Sequence, residues 1–312
     1  MSPTNRREFL VVAGALSAGF AGCLGDASSG ADDSASSTKT NGTTDTMSST
    51  TTADEPPQKA SFSVSDSAIR AVGDAWVAVV NPTVRKAVEY EAVMGSGGVL
   101  SPDEKQFVVA EIQSQDGETV SAKGKPEYDA FELVVDDETY PANDVGGIGA
   151  GSRRFAERGE VRYDMGYADE SDVGWIAFEP PSPLDASEAA IRCRYDDDSA
   201  EWSLPDDAVA KLPKPAPKFE LQSFDATMEG SNAKLSFAAK NVSKNDGRFL
   251  AALYWPTDEM YDDDESTIIE RSVEAGGAVE WSKEFGTEYT TGTVTARIDG
   301  AVTGTAKVDV EE

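Results

Sequence analysis

The sequence predicts an all-β protein, two β-sandwich modules behind a disordered Ser/Thr-rich stalk. Three observations predict it. Short runs alternate apolar and polar residues at period two from Ser61 to the C-terminus, and no stretch sustains a period of 3.6. Turn-forming pairs such as Asn81-Pro82, Gly97-Gly98, Asp116-Gly117 and Pro180-Pro181 separate the runs. Period two puts successive side chains on opposite faces of a strand, so a half-buried strand shows it and an amphipathic helix does not.

The chain of 312 residues opens with Arg6 and Arg7 directly before an apolar run from Phe9 to Phe20, which ends at Ala21-Gly22-Cys23. That run is too short to cross a hydrocarbon layer of ~30 Å, which needs about 20 apolar residues. A basic pair, a short apolar core and small residues before a cysteine resemble the twin-arginine lipoprotein signal, with Phe20 where Leu is usual. The resemblance implies that Arg6 and Arg7 are read by machinery exporting folded proteins. It also implies that residues 1–22 are removed and that Cys23 carries lipid, which places the protein on the extracellular face of the cell membrane. An uncleaved signal anchor or a plain secreted product is the alternative.

Residues 23–59 read as a lipid-anchored linker. Positions 24–58 hold 7 Ser and 8 Thr and almost nothing apolar, so they bury too little surface to offset the entropy of ordering. Ser/Thr density suits O-glycosylation, and Asn41-Gly42-Thr43 opens an N-glycosylation sequon; Asn241-Val242-Ser243 is a second.

Residues 60–211 form the first predicted module, with strands at 76–80, 88–94, 107–112, 131–135, 161–165, 175–178 and 189–195. Leu212-Pro213-Lys214-Pro215-Ala216-Pro217-Lys218 favours polyproline geometry and reads as a semi-rigid hinge over 212–218. Residues 219–312 carry seven further short strands in about 95 residues, which fits an immunoglobulin-like sandwich in which two sheets bury their apolar faces together.

Ser101 through Val109, Phe131 through Asp136 with Tyr140, Gly174 through Pro180, and Glu201 through Leu204 resemble the telokin-like, immunoglobulin-like extracellular domains of prokaryotic lipoproteins. The likeness covers about residues 99–204 and rests on strand patterns. It implies a fold and a place outside the cell, in a family without established enzymatic activity. The loop around 146–158 and the strands before Val99 are additions to that pattern. The second module is similar to cell-surface sandwiches in which a strand ends in Asn-x-Ser, as Lys240-Asn241-Val242-Ser243 does.

Charge narrows the function classes. The chain has 27 Lys and Arg against 57 Asp and Glu, a net charge of −30, and no His. A polyanion such as nucleic acid meets repulsion, and imidazole catalysis and His-ligated zinc are excluded. Residues 60–204 carry 29 acids to 12 bases and residues 218–312 carry 19 to 9, so the acidity is global. A dispersed acidic surface suits molar salt, where a screening length of ~3 Å removes self-repulsion, and reads as haloarchaeal.

Few residues mark a site. Asp196-Asp197-Asp198 and the cluster Asp262, Asp263, Asp264 with Glu265 offer oxygen donors, yet lack the spaced alternation and glycine of a calcium loop; weakly held hydrated cations are the expectation. The glycines from Gly146 to Gly151 miss the spacing of a phosphate loop. Arg153, Arg154 and Arg158, with Arg162, form the basic island of the chain, a candidate anion contact set against pairing with Glu157 and Glu160. Cys193 alternates with Ala189, Ile191 and Tyr195 and reads as a core thiol. No cofactor and no catalytic residue is expected. The leading expectation is a non-catalytic, lipid-anchored surface protein for adhesion, envelope organisation or ligand presentation. Its partners would be the membrane through the N-terminal lipid and extracellular protein or carbohydrate. A ligand-capturing accessory lipoprotein of a transporter or secreted enzyme complex is the alternative, and an enzyme using a carboxylate pair comes third.

Overall fold

Alternation becomes strand wherever one face finds a partner sheet. The computed structural model describes residues 65, 68–92, 97–116, 125–142, 145, 152–158, 161–164, 173–256, 266–288 and 290–311. The first part of the chain contains β1 (Ile69–Val72), β2 (Ala75–Arg85), β3 (Val88–Ala92), β4 (Gly97–Leu100), β5 (Phe107–Asp116), β6 (Phe131–Val135), β7 (Glu138–Pro141), β8 (Ser152–Phe155), β9 (Val173–Phe178), β10 (Ala189–Tyr195), β11 (Asp198–Ser203) and the short α1 (Asp206–Val209). The second part contains β12 (Phe219–Glu229), β13 (Asn232–Asn241), β14 (Gly247–Tyr254), β15 (Ser266–Val273), β16 (Ala278–Gly286), β17 (Gly292–Gly300) and β18 (Gly304–Val310). The protein is thus all-β, built of several antiparallel sheets.

The first module has three sheets, ordered β1-β2-β5-β9, β11-β10-β6-β7 and β4-β3-β8. In β6 and β10 the alternation is strict. Phe131, Leu133 and Val135 lie opposite Cys193, Ile191 and Ala189, and all six are buried. Sequence alternation predicts one two-sheet sandwich here; the third sheet is an addition, and its cause is visible in β5 and β9. Phe107-Val108-Val109-Ala110 and Trp175-Ile176-Ala177-Phe178 are apolar at every position and fully buried, so both faces of that sheet need cover. Phe155 of β8 stacks on Trp175 at 4.8 Å and meets Phe107 edge-on at 6.1 Å. One apolar cluster runs through all three sheets.

In the second module a three-stranded sheet, β12-β13-β16, shares a core with a four-stranded sheet, β15-β14-β17-β18. Phe237 of β13 sits opposite Phe224 and Trp281 on its two neighbours and stacks on Phe249 of the facing sheet at 5.7 Å. Ala233, Leu235, Phe237 and Ala239 point inward in strict alternation. The sandwich follows from such patterns, because each sheet has one apolar face to hide.

β14 breaks the pattern, since every residue from Phe249 to Tyr254 is buried. Phe249, Ala251 and Leu253 enter the second core, whereas Leu250, Ala252 and Tyr254 pack on Val99 of β4, with Ala87 and Ile268 alongside. The first module therefore covers the outer face of the second. Approach is close enough that a Cβ on Gly98 would strike the hydroxyl of Tyr254. Gly300 adopts φ +127, and a Cβ there would come within 2.9 Å of Val99.

The proline-rich segment read as a hinge is held at both ends. Leu212 is fully buried in the first core, and its carbonyl accepts hydrogen bonds from Leu184 N (3.0 Å), Gln106 Nε2 (3.2 Å) and Lys86 Nζ (3.4 Å). At the other end Val242 N donates to the Lys218 carbonyl at 2.9 Å.

Leu250→Ala should lower stability by about 2–4 kcal/mol although Leu250 lies outside the core of its own sandwich, because the cavity opens at the contact between modules. Denaturant unfolding measures this; a loss below ~0.5 kcal/mol, typical of surface positions, would mean the contact does not form.

Candidate functional site

Several residues singled out in the sequence lie outside the described residues: Arg6, Arg7, Cys23, Asn41 and Asp262, Asp263 and Asp264, together with the Arg153 side chain. Asp196, at φ 53, opens the turn that joins β10 to β11. Among the described residues no group of three or more Cys, Asp or Glu side chains is placed to hold a metal ion.

The described arginines of the basic island each have a partner within the chain, although Arg154 stays exposed. Arg154 lies 3.9 Å from Glu91, Arg158 Nη2 donates to Thr83 Oγ1 at 3.2 Å, and the Arg162 guanidinium covers the Tyr128 ring at 4.5 Å. Each arginine is drawn to a different partner, so these three do not converge on one anion. Between them Ala156 and Glu157 take successive left-handed conformations, φ 51 and 62, a strained arrangement for residues with a Cβ. The turn aims Glu157 at the second module, where its carboxylate lies 3.4 Å from Arg248; Arg85 is 3.8 Å away on the near side.

Asn241, whose sequon makes a glycan possible, lies inside the second module. The residue is fully buried, and its Nδ2 donates to the carbonyls of Asn245 (2.9 Å), Glu274 (3.2 Å) and Val273 (3.3 Å), while Oδ1 accepts from Ser243 N at 3.0 Å. Both amide protons are committed, and the nitrogen that a sugar would take is out of reach. Cys193 is buried in the first core, and burial pushes its thiol up to about 12, which leaves it inert at neutral pH.

Sequence reasoning missed a cleft of about 340 Å³ where the modules meet. Val84, Arg85, Lys86 and Ala87 form one wall at the turn from β2 to β3; Lys211 and Lys214 to Pro217 form the second; Asp246 to Arg248, entering β14, form the third. Five cations line it against one carboxylate, Asp246, in a chain of −30. Three of the five are paired: Arg248 Nε donates to Glu270 at 2.5 Å and Nη1 to the Ala87 carbonyl at 3.2 Å, Lys211 holds Asp207 at 3.1 Å, and Arg85 reaches Glu157. Lys86 is different. Its Nζ donates to Gln106 Oε1 (2.6 Å), Ser182 Oγ (3.0 Å) and the Leu212 carbonyl, all neutral, and burial lowers it to about 8. Lys214 is exposed. Scattered as they are along the sequence, these residues show no motif.

A second, open concavity of about 560 Å³ lies beside β10 and α1. Its one cation, Arg192, is consumed by Glu201 (2.6 Å) and Glu132 (3.0 Å), and Asp136 accepts from Ser187 N and Oγ.

No known family's sequence pattern matches the chain, and no curated protein matches it. Among solved structures, DesR, a β-glucosidase from Streptomyces venezuelae in complex with D-glucose, is similar over 31% of this chain and 15% of its own, at 14% identity and TM-score 0.26. The alkylpurine DNA glycosylase AlkC of Pseudomonas fluorescens bound to DNA is similar over 31% of each chain, at 11% identity and TM-score 0.26. A β-glucosidase from Listeria innocua is similar over 32% of this chain and 17% of its own, at 15% identity and TM-score 0.27. The chain thus spans less than a third of each of these proteins. These are distant, partial matches between β-rich parts, and they identify no family.

Two outcomes follow from the geometry. Asn241→Ala should destabilise the second module by about 2–4 kcal/mol, because it leaves buried carbonyls without donors; peptide mass mapping of the chain purified from its source cell should find Asn241 unmodified. Because the folded pKa of Lys86 lies below its ordinary 10.5, the folded chain binds fewer protons than the unfolded one between about pH 8 and 10.5. Stability should therefore rise with pH across that window in the wild type relative to Lys86→Gln, and parallel curves would show that the ammonium is well solvated.

Proposed function

We propose that the chain is a non-catalytic, lipid-anchored cell-surface protein that presents two immunoglobulin-like β-sandwich modules, the first of telokin-like type, as one stiff unit for adhesion, envelope organisation or ligand presentation. The observation that carries this reading is β14, whose apolar outer face is covered by β4. A unit joined in this way transmits force and keeps its far end oriented, which a pair swinging on a spacer does not. The three-plus-four strand arrangement of the second module is compatible with an immunoglobulin-like sandwich. Arg6, Arg7 and Cys23 support export and lipidation, with the Ser/Thr-rich residues between 24 and 58 as the spacer. The acidic excess in both modules supports a setting of high salt.

The second reading, a ligand-capturing accessory lipoprotein, is favoured by one observation, the cationic cleft between the modules.

Cys23→Ser tests the anchor. Expressed in its source cell, this variant should leave the membrane fraction for the medium or accumulate unprocessed. Unchanged membrane retention at the mass of the unlipidated chain would remove the lipoprotein reading.

A further inference from the structure

We propose that the cleft between the modules binds a small organic carboxylate, its charge between Lys86 and Lys214 and its apolar body against Val84 and the Pro215–Pro217 wall. The proposal deepens the ligand-capturing reading. It rests on the cleft and not on the lipid anchor, so either can fail without the other.

Charge comes first. The chain has only 27 cations, and five of them surround one cleft whose lining holds a single acid. A cleft with low-dielectric walls concentrates such a field, while an anion near the rest of this surface is repelled. The cations also differ in what occupies them. Arg248 and Lys211 are held by Glu270 and Asp207, and these pairs fix the walls. Lys86 faces only neutral acceptors, and Lys214 makes no ion pair with any described residue. The three N–H groups of Lys86 are spent on neutral acceptors, so to an arriving carboxylate it offers a nearby counter-charge in a partly desolvated setting, while exposed Lys214 offers the hydrogen bonds.

The lining then selects among anions. Val84, Ala87, Pro215, Pro217 and Phe219 supply apolar surface that a hydrated inorganic ion would leave unused. The two cations without a carboxylate partner are ammoniums, and the guanidiniums of Arg85 and Arg248 are already paired, so no free bidentate fork favours phosphate. A volume of about 340 Å³ lies at the low end for a ligand pocket and admits a single ring with its acid group. Apolar contact survives in molar salt, where long-range attraction is screened, so a ligand held in brine needs the body as well as the charge.

Calorimetric titration of the purified chain in molar potassium chloride tests this with four probes: benzoate, benzamide as its neutral counterpart, acetate as charge without the ring, and inorganic phosphate. Benzoate should bind saturably and more tightly than the other three. Lys214→Glu should weaken benzoate at least about tenfold, equivalent to 1.4 kcal/mol. Lys307→Glu changes net charge equally on exposed β18 and should leave binding as it was. Both substitutions are at exposed positions, so an unchanged melting temperature shows that the fold is kept. Absence of saturable benzoate binding, equal affinity for benzamide or phosphate, or equal losses in the two variants would each overturn the proposal.

Discussion

The structure depends on one strand with two apolar faces. In an antiparallel sandwich the outer face of a sheet ordinarily meets water and the strand alternates. β14 does not alternate, and without cover Leu250, Ala252 and Tyr254 would form an apolar patch open to association with other chains. Laying β4 on that face removes the patch. It also brings the turn at Ala156-Glu157 against Arg248, and it leaves a cleft beside the contact. The polar pairs at this junction are partly exposed, with Arg248 and Glu157 side chains 26% and 52% accessible, and pairs of that kind contribute about 0–1 kcal/mol. Burial of a leucine is worth about 1.5–3 kcal/mol. Apolar contact therefore holds the modules together, and the ion pairs add little.

The same junction reorganises the charge. Most acids of this chain are dispersed, but the acids that matter locally are Glu157, Glu270 and Asp207, each assigned to a cation of the cleft wall. Glu89 nearby has its carboxyl raised, chiefly by burial and next by Glu157. Two ammoniums remain beyond those assignments. A strongly acidic protein thus keeps a cation-lined cleft beside the contact of β4 with β14.

Legibility followed the range of the interactions. The strands of β6, β10 and β13 could be read directly, because Phe131, Leu133 and Val135, or Leu235 and Phe237, repeat at the spacing of a pleat. Burial of Cys193 could be read from its phase with Ile191. The third sheet was signalled by the unbroken apolar runs at Phe107–Ala110 and Trp175–Phe178, which a two-sheet sandwich does not need. The sequon at Asn241 describes a chemical possibility and says nothing of whether Nδ2 is spent on carbonyls at Asn245, Val273 and Glu274. The basic island was open to two readings, an anion contact or internal pairing, and local sequence does not choose between them. Arg154, Arg158 and Arg162, within nine residues of one another, meet three separate partners, while the pair Arg85-Lys86 shares one cleft with Lys214 and Arg248, more than a hundred residues away.

By itself the sequence determined that this chain is all-β and which side chains in most strands point inward, because pleat and alternation are properties of neighbouring residues. Only the tertiary structure decided that β14 is covered on both faces, that Asn241 is sealed, and where the cations gather. Those outcomes depend on which surfaces meet at a distance along the chain, Asn241 with Val273 across 32 residues and Ala87 with Arg248 across 161, and no period-two pattern encodes such a meeting.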